Sequence, residues 1–240
     1  MKLKTVFLSL AVCLAIHSCY AADTTYRKKP WFMSFSVGYT SSHAGGSLVD
    51  MVQQLDGQFG ARNPYQKNGG GFAIDVLFQK QFTPVGYYKI GLGYIQKHVY
   101  PEENSYPLYK DSLNTGYLAI PFLFGFTEPL NKSRSIWFSL EGGPTGSIAI
   151  VNQTYRAPDR VDYKTLPVVL GFRGGASISF GLPKDMRLVM SYSYSVDITN
   201  AINETLYWGA PNEIYRTRSY KYQVQAFSLG FQWPLTKIAP

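Results

Sequence analysis

The sequence has little cysteine, little charge and, beyond its N-terminal segment, no long apolar run. Cys13 and Cys19 are its only thiols, and both lie close to the N-terminus. A chain cut after them carries no disulfide and no cysteine metal site. Charged residues make up only 16% of the 240 residues, whereas a water-facing surface is rich in lysine and glutamate. No later stretch reaches the roughly 18 apolar residues of a membrane helix, so a chain of this kind that crosses a bilayer must cross with strands. There is no repeat, low-complexity tract or linker, which leaves one domain. No basic stripe suited to nucleic acid is present, and none is expected as a partner. Gly69-Gly70-Gly71 lacks the Lys-Ser/Thr pair and the following helix of a phosphate loop. It reads instead as the end of a long loop, giving the chain freedom to enter the next strand.

What the N-terminus does have is a targeting segment. Lys2 and Lys4 precede an apolar run from Val6 to Ile16, followed by the small residues Cys19 and Ala21. The run is about eleven residues long, too short to span a bilayer. Residues 1–21 therefore read as a cleavable signal peptide and 22–240 as a single barrel domain. Cleavage removes two lysines and lowers the formal net charge from +8 to about +6. Ile16-His17-Ser18-Cys19 is a loose lipobox, so acylation at Cys19 is the alternative processing route, although His17 fits it poorly.

Beyond Pro30 the dominant signal is a period of two, the mark of strands with unlike faces. Trp31, Met33, Phe35, Val37 and Tyr39 alternate with Phe32, Ser34, Ser36 and Gly38. Phe72, Ile74, Val76 and Phe78 alternate with Ala73, Asp75, Leu77 and Gln79. Similar runs centre on Ile90, Phe122, Phe138, Phe172, Met190 and Leu229, giving eight. In the last of them the parity of the bulky residues flips upstream, at Tyr220, Tyr222 and Val224, which suggests a β-bulge near Gln225. The odd-numbered links are long (40–69, 97–114, 152–163 and 199–219) and the even ones short. Aromatic residues gather at strand ends as two girdles. One holds Trp31, Phe78, Tyr88, Phe126, Trp137, Phe180 and Trp233; the other holds Tyr39, Phe72, Tyr94, Tyr163, Tyr194 and Tyr222.

A secreted soluble barrel alternates too, with its apolar face inside. Here the polar parity is mostly Gly, Ser, Ala and Thr, the residues of a crowded interior rather than of a wet surface. The bulky parity stays uncharged over four or five positions per strand, enough for an apolar band about 25 Å tall. The fold expected is all-β: an eight-stranded antiparallel up-and-down transmembrane β-barrel with long external loops and short periplasmic turns. The location expected is the outer membrane of a Gram-negative cell.

Three motifs fall in order along these strands. Tyr117-Leu118-Ala119-Ile120-Pro121-Phe122-Leu123 resembles a "YLEIP-LL" strand, and Leu140-Glu141-Gly142-Gly143-Pro144 resembles a "GGP" strand. Tyr192-Ser193-Tyr194-Ser195-Val196-Asp197-Ile198-Thr199-Asn200 resembles a "Y-GLTNI" strand end. Together they are similar to the PorT-like outer-membrane β-barrel family of Bacteroidota, over most of the mature chain. Ala119 stands where that family often has an acid, and Ser195-Val196-Asp197 replaces a Gly-Leu pair. The resemblance thus implies the fold and not a functional subgroup, and the secretion role behind the family's name is not carried over.

Six charged residues share the inward parity: Asp75, Lys89, Glu141, Arg173, Arg187 and Asp197. Charges in a narrow interior must pair, so they are expected to form a network that fills the lumen, with Glu141 and Arg173 pointing inward from adjacent strands and sharing one ionic network. A conductive lining is the alternative, but eight strands enclose only enough room for side chains. The external loops carry aromatic and basic residues suited to recognition: Tyr155, Arg156, Arg160, Tyr207, Trp208, Tyr215, Arg216 and Arg218. Their expected partners are outer-membrane lipid, lipopolysaccharide, a surface glycan or another envelope protein. The mature chain keeps two histidines, His43 and His98; His98 with Ser105 is the only sketch of a catalytic pair, for lipid-modifying chemistry. No cofactor or metal is implied, and an enzyme is not expected. The oligomeric state is left open by the sequence.

Overall fold

The computed structural model describes residues 31–46, 67–100, 113–152, 156–157, 161–207 and 214–235. Long strands dominate them. In chain order these are β1 (Trp31–Gly46), β2 (Lys67–Gln81), β3 (Gly86–Tyr100), β4 (Leu113–Pro129) and β5 (Ile136–Asn152). The short β6 (Arg156–Ala157) and β7 (Val161–Thr165) follow, then β8 (Val168–Gly181), β9 (Arg187–Asp197), β10 (Ile202–Tyr207) and β11 (Ile214–Pro234). Eight of these close a barrel in the order β1-β2-β3-β4-β5-β8-β9-β11, and β11 pairs back onto β1. Each neighbouring pair is antiparallel. Closure leaves no unpaired edge to the barrel, the condition for a sheet that meets hydrocarbon.

The alternation read from the sequence sorts side chains to the two faces. Along β11, Leu229 is 58% exposed while its neighbour Ser228 is 8% exposed. Leu92, Phe124, Leu170, Phe172 and Met190 are likewise bulky and outward. A continuous outward apolar surface of this extent belongs against lipid. Short turns at 82–85, 130–135 and 182–186 mark one end of the barrel, and the long links mark the other.

The loop end departs from expectation in three ways. The bulge expected near Gln225 is absent: Ser42, Ser41 and Thr40 pair in unbroken register with Val224, Gln225 and Ala226. Tyr220, Tyr222 and Val224 simply face inward, and the outward positions Lys221, Gln223 and Gln225 are polar because they lie above the apolar belt. A bulge does occur at the glycine run. Those glycines are inside β2, paired with Thr40, Ser41 and Ser42, and the register against β3 shifts between Asn68 and Ala73. A Cβ on Gly69 would fall on the His98 carbonyl, so only glycine lets the two backbones approach there. Finally, two of the long links are partly strand: β10 pairs with the upper part of β11, β7 with β10, and β6 with β7. A small sheet therefore extends the wall beyond the barrel on that side.

The inside of the loop end is an apolar core. Val99, Leu113, Tyr117, Val169, Ile202 and Tyr220 meet there, each at most 3% exposed. Tyr222 joins them and is fully buried, so it is not part of the outer girdle. Trp137 leaves the opposite girdle for a similar reason: its odd position in β5 points inward, against Arg187. The other girdle pairs seen stand as expected, with Trp31 against Tyr88 and Phe72 against Tyr94. The side chain of Tyr163 lies outside the described residues.

Candidate functional site

The lumen is built by the small inward residues of eight strands, which leave room for a few long charged side chains. Three ion pairs succeed one another from the turn end toward the loop end. Lys89 Nζ lies 2.6 Å from Glu141 Oε2, which also accepts the Tyr87 hydroxyl at 2.9 Å. Arg173 grips Asp75 with both terminal nitrogens, at 3.1 and 2.7 Å to its two oxygens. Lys97 Nζ contacts both oxygens of Asp197 at 2.7 and 2.8 Å. Asp197 in turn accepts the backbone N–H of Tyr222 at 3.1 Å. The Lys97 ammonium sits 4.4 Å from the Tyr117 ring and 5.3 Å from the Tyr222 ring, beneath the apolar core.

All six charges read from the sequence do face the lumen. Glu141 and Arg173 come from the paired strands β5 and β8 and feel each other's charge, while each makes its hydrogen bonds with another partner, Lys89 and Asp75. Arg173 is long enough to cross the lumen to β2, and Lys89 reaches Glu141 from β3. Lys97 was missed, because the second external loop was expected to begin there. Its odd parity, shared with Lys89, was the signal that β3 continues to Tyr100. Arg187 stands apart from the pairs. Its guanidinium lies 4.2 Å from the Trp137 ring and 5.8 Å from the Phe32 ring, and no carboxylate bonds to it among the described residues.

Two small cavities break up the packing. One, of about 50 Å³, lies toward the turn end and is lined by Ser34, Gln79, Thr127, Ser179 and Arg187, with the Lys89–Glu141 pair at its inner side. The other, of about 30 Å³, adjoins Lys97, Asp197 and Arg173.

The loop-end recognition candidates are only partly placed. Arg156 pairs with Asp162 in the β6–β7 ladder, Arg218 with Glu204 and Arg216 with Leu206 between β10 and β11, and Tyr207 with Ile214. Tyr215 lies on β11. Tyr155, Arg160 and Trp208 lie outside the described residues, as does Ser105. His98 packs against Tyr100 at 4.4 Å, and its Nδ1 lies 3.3 Å from the Gly70 carbonyl oxygen.

No family model and no curated protein sequence matches the chain. Solved structures do. The outer membrane protein OprG from Pseudomonas aeruginosa superposes with a TM-score of 0.53 at 10% identity, covering 85% of this chain and 97% of OprG. The outer membrane protein AlkL, solved in lipid bilayers, superposes with a TM-score of 0.51 at 12% identity, covering 92% of this chain and 96% of AlkL. At such identities the likeness is one of fold: this chain is a closed eight-stranded antiparallel barrel of the kind found in bacterial outer membranes.

Proposed function

We propose that this chain is an exported outer-membrane barrel whose lumen is sealed and whose external loops are its working surface. The observation that carries this reading is the filling of the lumen. Three ion pairs cross it, and an apolar core closes the loop end above them. A hydrated path for solutes would have to open both, at the cost of unpairing buried charges. The barrel then serves as a rigid mount, and the basic and aromatic residues of the extended loop-end sheet supply recognition of a glycan, a lipopolysaccharide phosphate or another envelope protein. The engagement of His98 by Gly70 and Tyr100 favours this non-enzymatic reading over lipid-modifying chemistry. The three motifs around Tyr117, Glu141 and Tyr192 support membership of the PorT-like family of Bacteroidota.

Reconstitution into planar bilayers tests the sealed lumen: the expected trace is flat, and reproducible unit conductance steps would overturn it. Binding to lipopolysaccharide-containing vesicles tests the loops. Exchanging Arg156, Arg216 and Arg218 for glutamine should weaken it, and unchanged binding would remove the loops from the account. N-terminal sequencing of the membrane-extracted protein tests export. The chain should begin near Ala22 without an acyl group, and a lipid-modified Cys19 would replace that processing route.

A further inference from the structure

We infer that the turn-end chamber of the lumen is a binding site for a small oxyanion, a carboxylate or phosphate group, seated on Arg187. Three observations converge on it. First, Arg187 is the inward cation left out of the ion pairing. Lys89, Lys97 and Arg173 each hold a carboxylate, whereas among the described residues Arg187 stacks on Trp137 and Phe32 and feels the charge of the exposed Asp185 without forming an ion pair with it. Those rings favour the charge but accept none of its N–H groups in the plane where a guanidinium binds oxyanions.

Second, the chamber around it offers donors and no unengaged acid. Gln79 accepts the Gln232 amide N–H on its carbonyl oxygen at 2.9 Å, so its own amide N–H groups are not used in that bond, and it lines the cavity. Thr127 accepts the Ser139 hydroxyl at 2.9 Å and keeps its own proton to donate. Ser179 lines the same space. The two carboxylates that line it are already held, Glu141 by Lys89 and Tyr87 and Asp75 by Arg173. A cavity of about 50 Å³ exceeds the space one water needs and suits a group of oxyanion size.

Third, the rim carries more base than acid. Lys132, Arg134 and Lys184 are exposed on the short turns, against Asp185 and the half-buried Glu128. Charge at the mouth raises the local concentration of anions outside it. The site therefore opens toward the turn end, away from the recognition loops, and does not depend on what those loops bind.

The test uses the mature full chain folded in detergent micelles, with inorganic phosphate as the probe, followed by phosphorus NMR at constant ionic strength. Saturable binding to the wild type is expected. Arg187→Gln should lower the affinity by about tenfold or more, the scale of one lost charge-assisted hydrogen bond. The rim variant Arg134→Gln with Lys184→Gln should bind saturably with a smaller loss that added salt erases. Folding of each variant is checked by its heat-dependent gel mobility, and Arg187→Lys, which keeps the charge without the fork, should be intermediate. No saturable binding by the wild type would overturn the site. So would full affinity in Arg187→Gln, or a greater loss in the rim variant than in Arg187→Gln.

Discussion

At the scale of single residues, the lumen shows why charge in a barrel is paired across strands rather than along them. Glu141 and Arg173 are close in the ladder, yet each finds its hydrogen-bonding partner on a different strand. Arg173 and Asp75 form a two-pronged contact, and their side chains are 16% and 6% exposed. Removing one member of so sheltered a pair leaves a buried charge, which costs roughly 3–5 kcal/mol where the site is dry. A double-mutant cycle with Asp75→Asn and Arg173→Met, read by denaturant unfolding in micelles, should show clear positive coupling. The same cycle between Glu141→Gln and Arg173→Met should show less, because no bond joins them. Equal coupling in the two cycles would mean that the lumen charges act as one diffuse field and not as discrete pairs. Lys97 is drier than Arg173, at 3% against 16%, and Lys97→Met should be at least as damaging as Arg173→Met in the same assay.

At the scale of elements, each strand is a two-faced ribbon, and the faces differ in the solvent they require. Ile90, Phe122 and Leu229 are 42%, 38% and 58% exposed on the outward face. Arginine at any of them should destabilise the barrel by about 2–4 kcal/mol if it lies at mid-depth in lipid. Leu130 is 59% exposed as well, but it sits in a short turn beyond the belt. Arginine there should cost little. Refolding into lipid vesicles measures both, and a Leu130→Arg variant as damaged as Leu229→Arg would contradict the placement of the belt. The eight strands, their parity and the short turns were legible in the sequence because alternation is a local property of the backbone. The extra strands β6, β7 and β10 were not, because they pair only with one another and with the far end of β11. Six residues or fewer without strong alternation read as loop until a partner strand is supplied.

At the scale of the whole molecule, the barrel has two kinds of interior. The turn half is a serine-rich chamber with paired charges, and the loop half is a dry apolar core like that of a soluble domain. Ile202 illustrates the second: it lies on β10, outside the barrel order, yet is 1% exposed in the core that closes the lumen. Ile202→Ala should cost about 2–5 kcal/mol, the range of a core truncation. Measured by unfolding in micelles, a negligible change would mean that the loop-end core contributes nothing to stability and cannot act as a permanent seal. That core also explains the misread parity of Tyr220 and Tyr222. Bulky residues in a barrel strand face lipid within the belt, but beyond it the interior becomes the apolar place and the outer surface the wet one.

The sequence by itself determined the number of barrel strands, the inward and outward faces within the apolar belt, the long and short ends and the inward direction of all six charges. Each follows from a period of two and from the sparing use of charge, which any stretch of the chain displays alone. Only the tertiary structure decided which charge meets which and that Arg187 has no ion pair among the described residues. It also decided that the glycine run is a bulge and that the loop end is plugged. These depend on how strands distant in the chain are staggered around a closed barrel and on how far a side chain reaches across it. Register and reach are properties of the closed wall, and no single strand contains them.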